Sequence, residues 1–208
     1  MTGVELLRAQ PRDTDWLAQL VADAFHELVP SAWLVADPIV RREIFPGEYR
    51  LYVELGMLEG AVYTSADRAG AAIWVRHEPG GNPGVPDYDE RLAAATGEHV
   101  DRFRIFDEVL AKHYPTVPTY AHLAILAVRR DRRRQGLGSA LMSQYHRLLD
   151  EQQVPAYLEA SDSGTRRLYL EHGYRDMGDP IELPEGPVMF PMWREPGQAT
   201  HPEATEET

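Results

Sequence analysis

The residues most able to do chemistry lie together in Leu126-Ala-Val-Arg-Arg-Asp-Arg-Arg-Arg-Gln-Gly-Leu-Gly-Ser-Ala-Leu141. An apolar strand runs into a basic loop, and two glycines then open an amphipathic helix. The first N–H groups of a helix have no intrahelical acceptor, and the helix dipole adds partial positive charge at the same end. Gly136 and Gly138 let the backbone approach a ligand without Cβ atoms in the way, and the arginines between Arg129 and Arg134 add charge. The chemistry this implies is capture of a phosphorylated ligand. A basic run can also be a solvated face or a nucleic-acid patch. That suits poorly a chain with a formal net charge of -12, which repels polyanions. A dinucleotide-binding G-x-G-x-x-G turn is not matched, because Leu141 stands at the third position and an arginine loop separates strand from glycines. The phosphate loop G-x-x-x-x-G-K-S/T is absent.

The pattern R-x-x-G-x-G from Arg133 to Gly138 resembles the pyrophosphate-binding motif of the GNAT-type N-acetyltransferase superfamily. Tyr157-Leu-Glu-Ala-Ser-Asp162 and then Leu168-Tyr169-Leu-Glu-His-Gly-Tyr174 resemble the strand, short helix and L-Y-x-x-x-G-F/Y element that follow it in that superfamily. Gly136-Leu-Gly-Ser-Ala140, Val154-Pro-Ala-Tyr-Leu-Glu159 and Leu183-Pro-Glu-Gly-Pro187 are similar to stretches of puromycin N-acetyltransferase and its actinobacterial relatives. The similarity is good over residues 119–196, loose over 71–112 and faint before that.

The resemblance implies an α/β (α+β) GNAT fold: a central mixed, mostly antiparallel, splayed sheet of six to seven strands flanked by helices. It implies acetyl-CoA as co-substrate, and the spacing of the histidines leads to no metal being expected. The strand 119–128 would splay from its neighbour near Leu126 and expose main-chain groups that need partners. The pantetheine arm would pair along Leu126, Ala127 and Val128, with an N–H near Leu126 polarising the thioester carbonyl. The diphosphate would sit on the N–H groups of Arg134, Gln135, Gly136, Leu137, Gly138 and Ser139, with Arg133 and Arg134 adding charge-assisted bonds. Asp162 stands where many relatives place an asparagine on the cofactor. An ionised carboxylate accepts but cannot donate, and Ser161 or Ser163 is an alternative cap for the helix that follows.

Acetyl transfer to an amine needs a base for the ammonium proton and an acid for the departing thiolate. His122 is the first candidate base, since a histidine of ordinary pKa, about 6.5, suits the task. Counting by twos, it shares a face with Tyr120, Ala124 and Leu126. Ala121-His-Leu123 with Leu126-Ala-Val128 also resembles the matching strand of arylalkylamine N-acetyltransferases, in which a histidine is the base. A histidine bonded into the sheet is the alternative. Glu159 is the second candidate, because an inward carboxylate in an apolar strand is costly without a task or partner. A structural or acceptor-orienting bond is the alternative there. Tyr169 is the candidate acid and cofactor contact, with core packing as its alternative role.

These residues need elements to hold them. The pattern predicts strands at 4–8, 61–64, 71–76, 119–128, 156–160, 174–177 and 188–193. It predicts helices at about 13–28, ended by Pro30, and at 38–55, where Pro46-Gly47 interrupts. Further helices are predicted at 87–112 in two pieces near Gly97, at 136–151 and at 164–172. Residues 1–195 read as one domain and 196–208 as an acidic, disordered tail. Residues 25–57 and 77–113 are expected to line the acceptor pocket. The 208 residues include no cysteine, which excludes thiol catalysis and disulfides. The histidines show no metal-ligand spacing. No targeting segment or apolar run of about 18 residues is evident, so a cytoplasmic protein without membrane or nucleic-acid partners is expected, as monomer or homodimer. A non-catalytic acyl-CoA sensor and a protein or peptide N-acetyltransferase are the alternatives to a small-molecule enzyme.

Overall fold

The computed structural model describes residues 4–197; residues 198–208 of the expected acidic tail lie outside them. Along the chain the strands are β1 (Leu6–Arg8), β2 (Gly60–Ser65), β3 (Gly70–His77), β4 (Tyr120–Val128), β5 (Ala156–Ala160), β6 (Arg175–Asp176), β7 (Ile181–Glu182) and β8 (Val188–Arg194). The helices are α1 (Thr14–Phe25), α2 (Val29–Leu34), α3 (Pro38–Glu59), α4 (Tyr88–Thr96), α5 (Val100–Ala111), α6 (Leu137–Gln152) and α7 (Ser163–Glu171). The sheet order is β1-β2-β3-β4-β5-β8-β6, with the short β7 paired to β8. This is the expected mixed, mostly antiparallel sheet, with one more short strand than the pattern predicts. Among the described residues no helix is long and apolar enough to cross a membrane.

Two expectations about helices are corrected. Pro30 does not merely end α1: it sits in the first turn of α2, where a missing N–H costs nothing. The chain also continues as one helix through Pro46, so α3 runs four residues beyond the predicted end. Gly47 has a packing reason, because a Cβ there would lie 3.0 Å from the Ala95 Cβ of α4.

The sheet has helices on both faces. Leu17, Val21, Trp33, Phe45, Leu92 and Phe103 of α1 to α5 pack with Ile73 and Ile125. On the other face Leu141, Met142 and Tyr145 of α6 and Tyr169 of α7 pack with Trp74 and Leu123. Close backbone approach is required where α3 enters β2. A Cβ on Gly60 would lie 2.1 Å from the Trp74 carbonyl oxygen. Gly60→Ala is therefore expected to cost about 2 kcal/mol or more, since the strand pairing leaves no room to shift. A urea midpoint equal to that of the unaltered protein would contradict this.

β4 decides where the site residues point. Ile73 faces Ile125 and Trp74 faces Leu123, so Ala124 is an extra residue on β4. Such a bulge reverses the alternation of side chains beyond it. Leu123 accordingly packs with α6, whereas Ile125 and Ala127 pack on the opposite face. Leu126 and Val128 lie on the α6 side, 3.7 and 3.8 Å from where a Gly138 Cβ would be. The expectation that His122 and Leu126 share a face is thus wrong: the two point to opposite sides of the sheet.

Candidate active site

β4 and β5 are the parallel pair of the sheet, joined through α6. Their register covers only Ala121↔Ala156 and His122↔Tyr157. Beyond it the strands separate, so residues 123–128 have no strand partner on that side. The opening begins immediately after His122 rather than near Leu126. One end of this edge carries a polar pair and the other runs into the glycine turn.

At the turn, Arg134 (φ 59) and Gly136 (φ 76) both take left-handed backbone conformations. Their alternation folds successive N–H groups toward one concave side, an arrangement suited to anions. Among the described residues the N–H groups of residues 134–139 make no hydrogen bond, and the first amide of the helix bond series is Ala140, donating to the Gly136 carbonyl at 2.9 Å. A Cβ on Gly136 would meet nothing within 4 Å. The space over the turn is open and its donors are available, which fits the diphosphate of acetyl-CoA.

The arginines divide their tasks. Arg129 pairs with Asp131 at 2.7 Å and Arg130 with Glu27 at 3.0 Å. Arg132 pairs with Asp67. Arg133, expected on the diphosphate, donates to the carbonyls of Ala24 at 2.6 Å and Val128 at 3.2 Å. It fastens the end of α1 to β4. Arg134 alone of the five is exposed and without a partner among the described residues. The side chains of two other expected contacts are also committed elsewhere. Gln135 bonds the Asp131 carbonyl at 3.0 Å, and the Ser139 hydroxyl bonds His172 Nε2 at 3.0 Å. Their main-chain N–H groups remain available. Leu137 is buried and anchors the helix start.

At the other end, His122 Nε2 lies 2.8 Å from Glu159 Oε2, with both side chains almost fully buried. The two candidate bases are one hydrogen-bonded pair, brought together by the His122↔Tyr157 register. An ionised Glu159 accepts from Nε2–H, which leaves the lone pair on Nδ1. Nδ1 has no hydrogen-bond partner among the described residues. Glu159 Oε1 is buried and also unpartnered. Rings close around the pair: Tyr157 at 5.2 Å, Tyr114 at 5.5 Å and His77 at 6.1 Å from the His122 ring. Burial and the neighbouring His122 hold His77 down at about 4, so it stays neutral. Burial and Glu159 push the Tyr120 phenol up to about 12.

Tyr169, on α7, is buried in the core beside Tyr174, with ring centroids 6.0 Å apart. Its phenol makes no hydrogen bond among the described residues, and burial, Asp162 and Glu159 all push its pKa up. It is a neutral O–H near the β5 end of the opening. Asp162, expected beside the cofactor, has one carboxylate oxygen engaged as a helix cap. Its Oδ1 accepts from Gly164 N at 2.7 Å and Thr165 N at 2.8 Å, so Asp162 itself caps α7, rather than Ser161 or Ser163. Among the described residues no group of three His, Asp or Glu side chains is arranged to hold a metal.

Sequence reasoning missed Tyr114 and Tyr157 as walls of the site, and did not single out His77 or Glu48 within the segments expected to line the pocket. This α3 carboxylate is 4% exposed, and its Oε2 has no partner. The signal was its position on the buried stripe Phe45, Glu48, Tyr49, Tyr52.

Residues 108–195 match the family described as Acetyltransferase (GNAT) domain. That segment spans β4, α6, β5, α7 and β8, which hold the turn and the His122–Glu159 pair. The fold is similar to that of a solved protein from Corynebacterium glutamicum described as histone acetyltransferase HPA2 and related acetyltransferase. That similarity has a TM-score of 0.70 and 21% identity, and covers 96% of this chain and 100% of the other. It is also similar to arylalkylamine N-acetyltransferase 2 from Aedes aegypti (TM-score 0.58, 13% identity, 92% and 98% covered). A third is Naa20 from Chaetomium thermophilum in complex with a bisubstrate analogue (TM-score 0.51, 17% identity, 93% and 87% covered). The chain has the GNAT fold, and the match of residues 108–195 to an acetyltransferase domain supports an N-acetyltransferase.

Proposed function

We propose that this GNAT-fold acyltransferase moves the acetyl group of acetyl-CoA onto the amine of a small molecule. One juxtaposition carries the reading: a strand edge without a partner leads from a buried His122–Glu159 pair to the unbonded N–H groups of residues 134–139. Acetyl-CoA supplies an activated thioester. The protein holds its diphosphate on those N–H groups, with Arg134 beside them, and its arm along residues 126–128.

His122 Nδ1 takes the proton of the acceptor ammonium, which frees the nitrogen lone pair to attack. Glu159 holds Nε2–H and stabilises the ring when it becomes charged. Tyr169 donates its phenol proton to the departing thiolate. Burial and the neighbouring carboxylates keep the phenol protonated, so that its proton is present to be donated. A small acceptor is favoured over a peptide because the pair is almost fully buried and ringed by aromatic side chains. The resemblance to puromycin N-acetyltransferases makes puromycin the first acceptor to test.

The test is release of free CoA thiol from acetyl-CoA across a panel of amines, puromycin and lysine peptides. Amine-dependent release with small acceptors is expected. Binding of acetyl-CoA with no release in any case would overturn the reading in favour of a sensor. Tyr169→Phe is expected to lower kcat about 10- to 100-fold with little change in acetyl-CoA affinity. A wild-type kcat would leave Tyr169 only its packing role.

A further inference from the structure

Beyond the His122–Glu159 pair lies a second acidic group that acetyl transfer does not use. Asp107 on α5 accepts from Tyr88 Oη at 2.9 Å and from Tyr52 Oη at 3.5 Å. Glu48 lies on α3 one turn before Tyr52, whose hydroxyl bonds Asp107; burial makes each carboxylate ionise less readily, and Asp107 adds to the effect on Glu48. Burial pushes Asp107 up to about 6 and Glu48 well above the usual carboxylate range. Among the described residues no Lys, Arg or His side chain pairs with either one. Buried carboxylates without a cation are costly, and this chain keeps two of them near Tyr52.

The group is continuous with the site. Tyr114 packs edge-on against His122 at 5.5 Å and is acted on by both Glu159 and Asp107. Tyr52, Tyr88, Asp107 and Tyr114 are half-buried and open to solvent, while Glu48 lies beneath them. Tyrosine faces beside carboxylates attract organic cations.

We propose that the acceptor carries a second cationic group, an amine or guanidinium, which docks between Glu48 and Asp107 while its reacting amine lies at His122. This rests on the acetyl-transfer reading for the reacting end. The unpartnered Glu48 Oε2, buried one turn from the Tyr52 that bonds Asp107, is what distinguishes the second subsite from an incidental acidic surface. The cation supplies the countercharge that the protein withholds.

The test compares α,ω-diamines, from trimethylene to octamethylene, with monoamines of matched length. One readout is kcat and KM in acetyl transfer; the other is calorimetric affinity for the protein saturated with CoA. The unaltered protein is expected to prefer a diamine of one optimal length at least about 10-fold in kcat/KM, chiefly through KM. Glu48→Gln and Asp107→Asn are each expected to reduce that preference several-fold. Equal affinity and kcat/KM for diamines and monoamines in the unaltered protein would overturn the proposal, without relying on any variant to fold. So would a preference that survives in both folded variants. If no amine is acetylated, the acetyl-transfer reading fails, and the calorimetric preference still decides whether the second cation subsite exists.

Discussion

Gly136→Glu is expected to weaken acetyl-CoA binding at least about 100-fold, roughly 2.7 kcal/mol. Two effects act together. Gly136 has φ 76, a conformation that costs an L-residue about 1–2 kcal/mol. The new carboxylate would also project into the open space over the N–H groups of residues 134–139, where a diphosphate must sit. Gly136→Ala separates the two, since it carries the backbone cost without the charge. Its loss of affinity should be smaller by about 10-fold or more. Calorimetric titration with CoA measures both. Equal and small losses in the two variants would show that the ligand phosphates lie elsewhere.

The second large effect belongs to the buried pair. His122→Ala is expected to lower kcat about 10²- to 10⁴-fold by removing the group that takes the ammonium proton. The acidic limb of the pH–rate profile should be lost with it. Glu159→Gln keeps an acceptor for Nε2–H but removes the charge that stabilises the protonated ring, so a smaller loss is expected. Because the two act as one unit, their effects should fall well short of additive in the double variant. Full additivity, or a limb unchanged in His122→Ala, would separate the residues and leave the histidine a structural part of the sheet.

The anion turn and the helix behind it were legible because glycine spacing, charge and a helical apolar stripe all agree there. The direction of β4 was not. Residues 123–128 are all apolar, so nothing in their types marks Ala124 as an extra residue, and counting by twos put Leu126 beside His122. The bulge exists only in the pairing with β3. His122 and Glu159 were both recognisable as candidate bases, but as rivals. Only the short parallel register of β4 with β5 shows that they share a hydrogen bond. Arg133 misled because a basic run gives no hint of its partners, and the carbonyl that claims it belongs to Ala24 on α1. Glu48 was hidden by Pro46 and Gly47. With the helix broken there, its place on the buried stripe of α3 could not be counted.

The most direct measurement is a crystal structure of the protein with CoA. The account predicts diphosphate oxygens within hydrogen-bond distance of the N–H groups of residues 134–139. It also predicts the pantetheine arm along residues 126–128, with its sulfur reaching the gap between His122 and Tyr169. CoA bound away from that turn, with β4 and β5 closed against each other beyond His122, would contradict it.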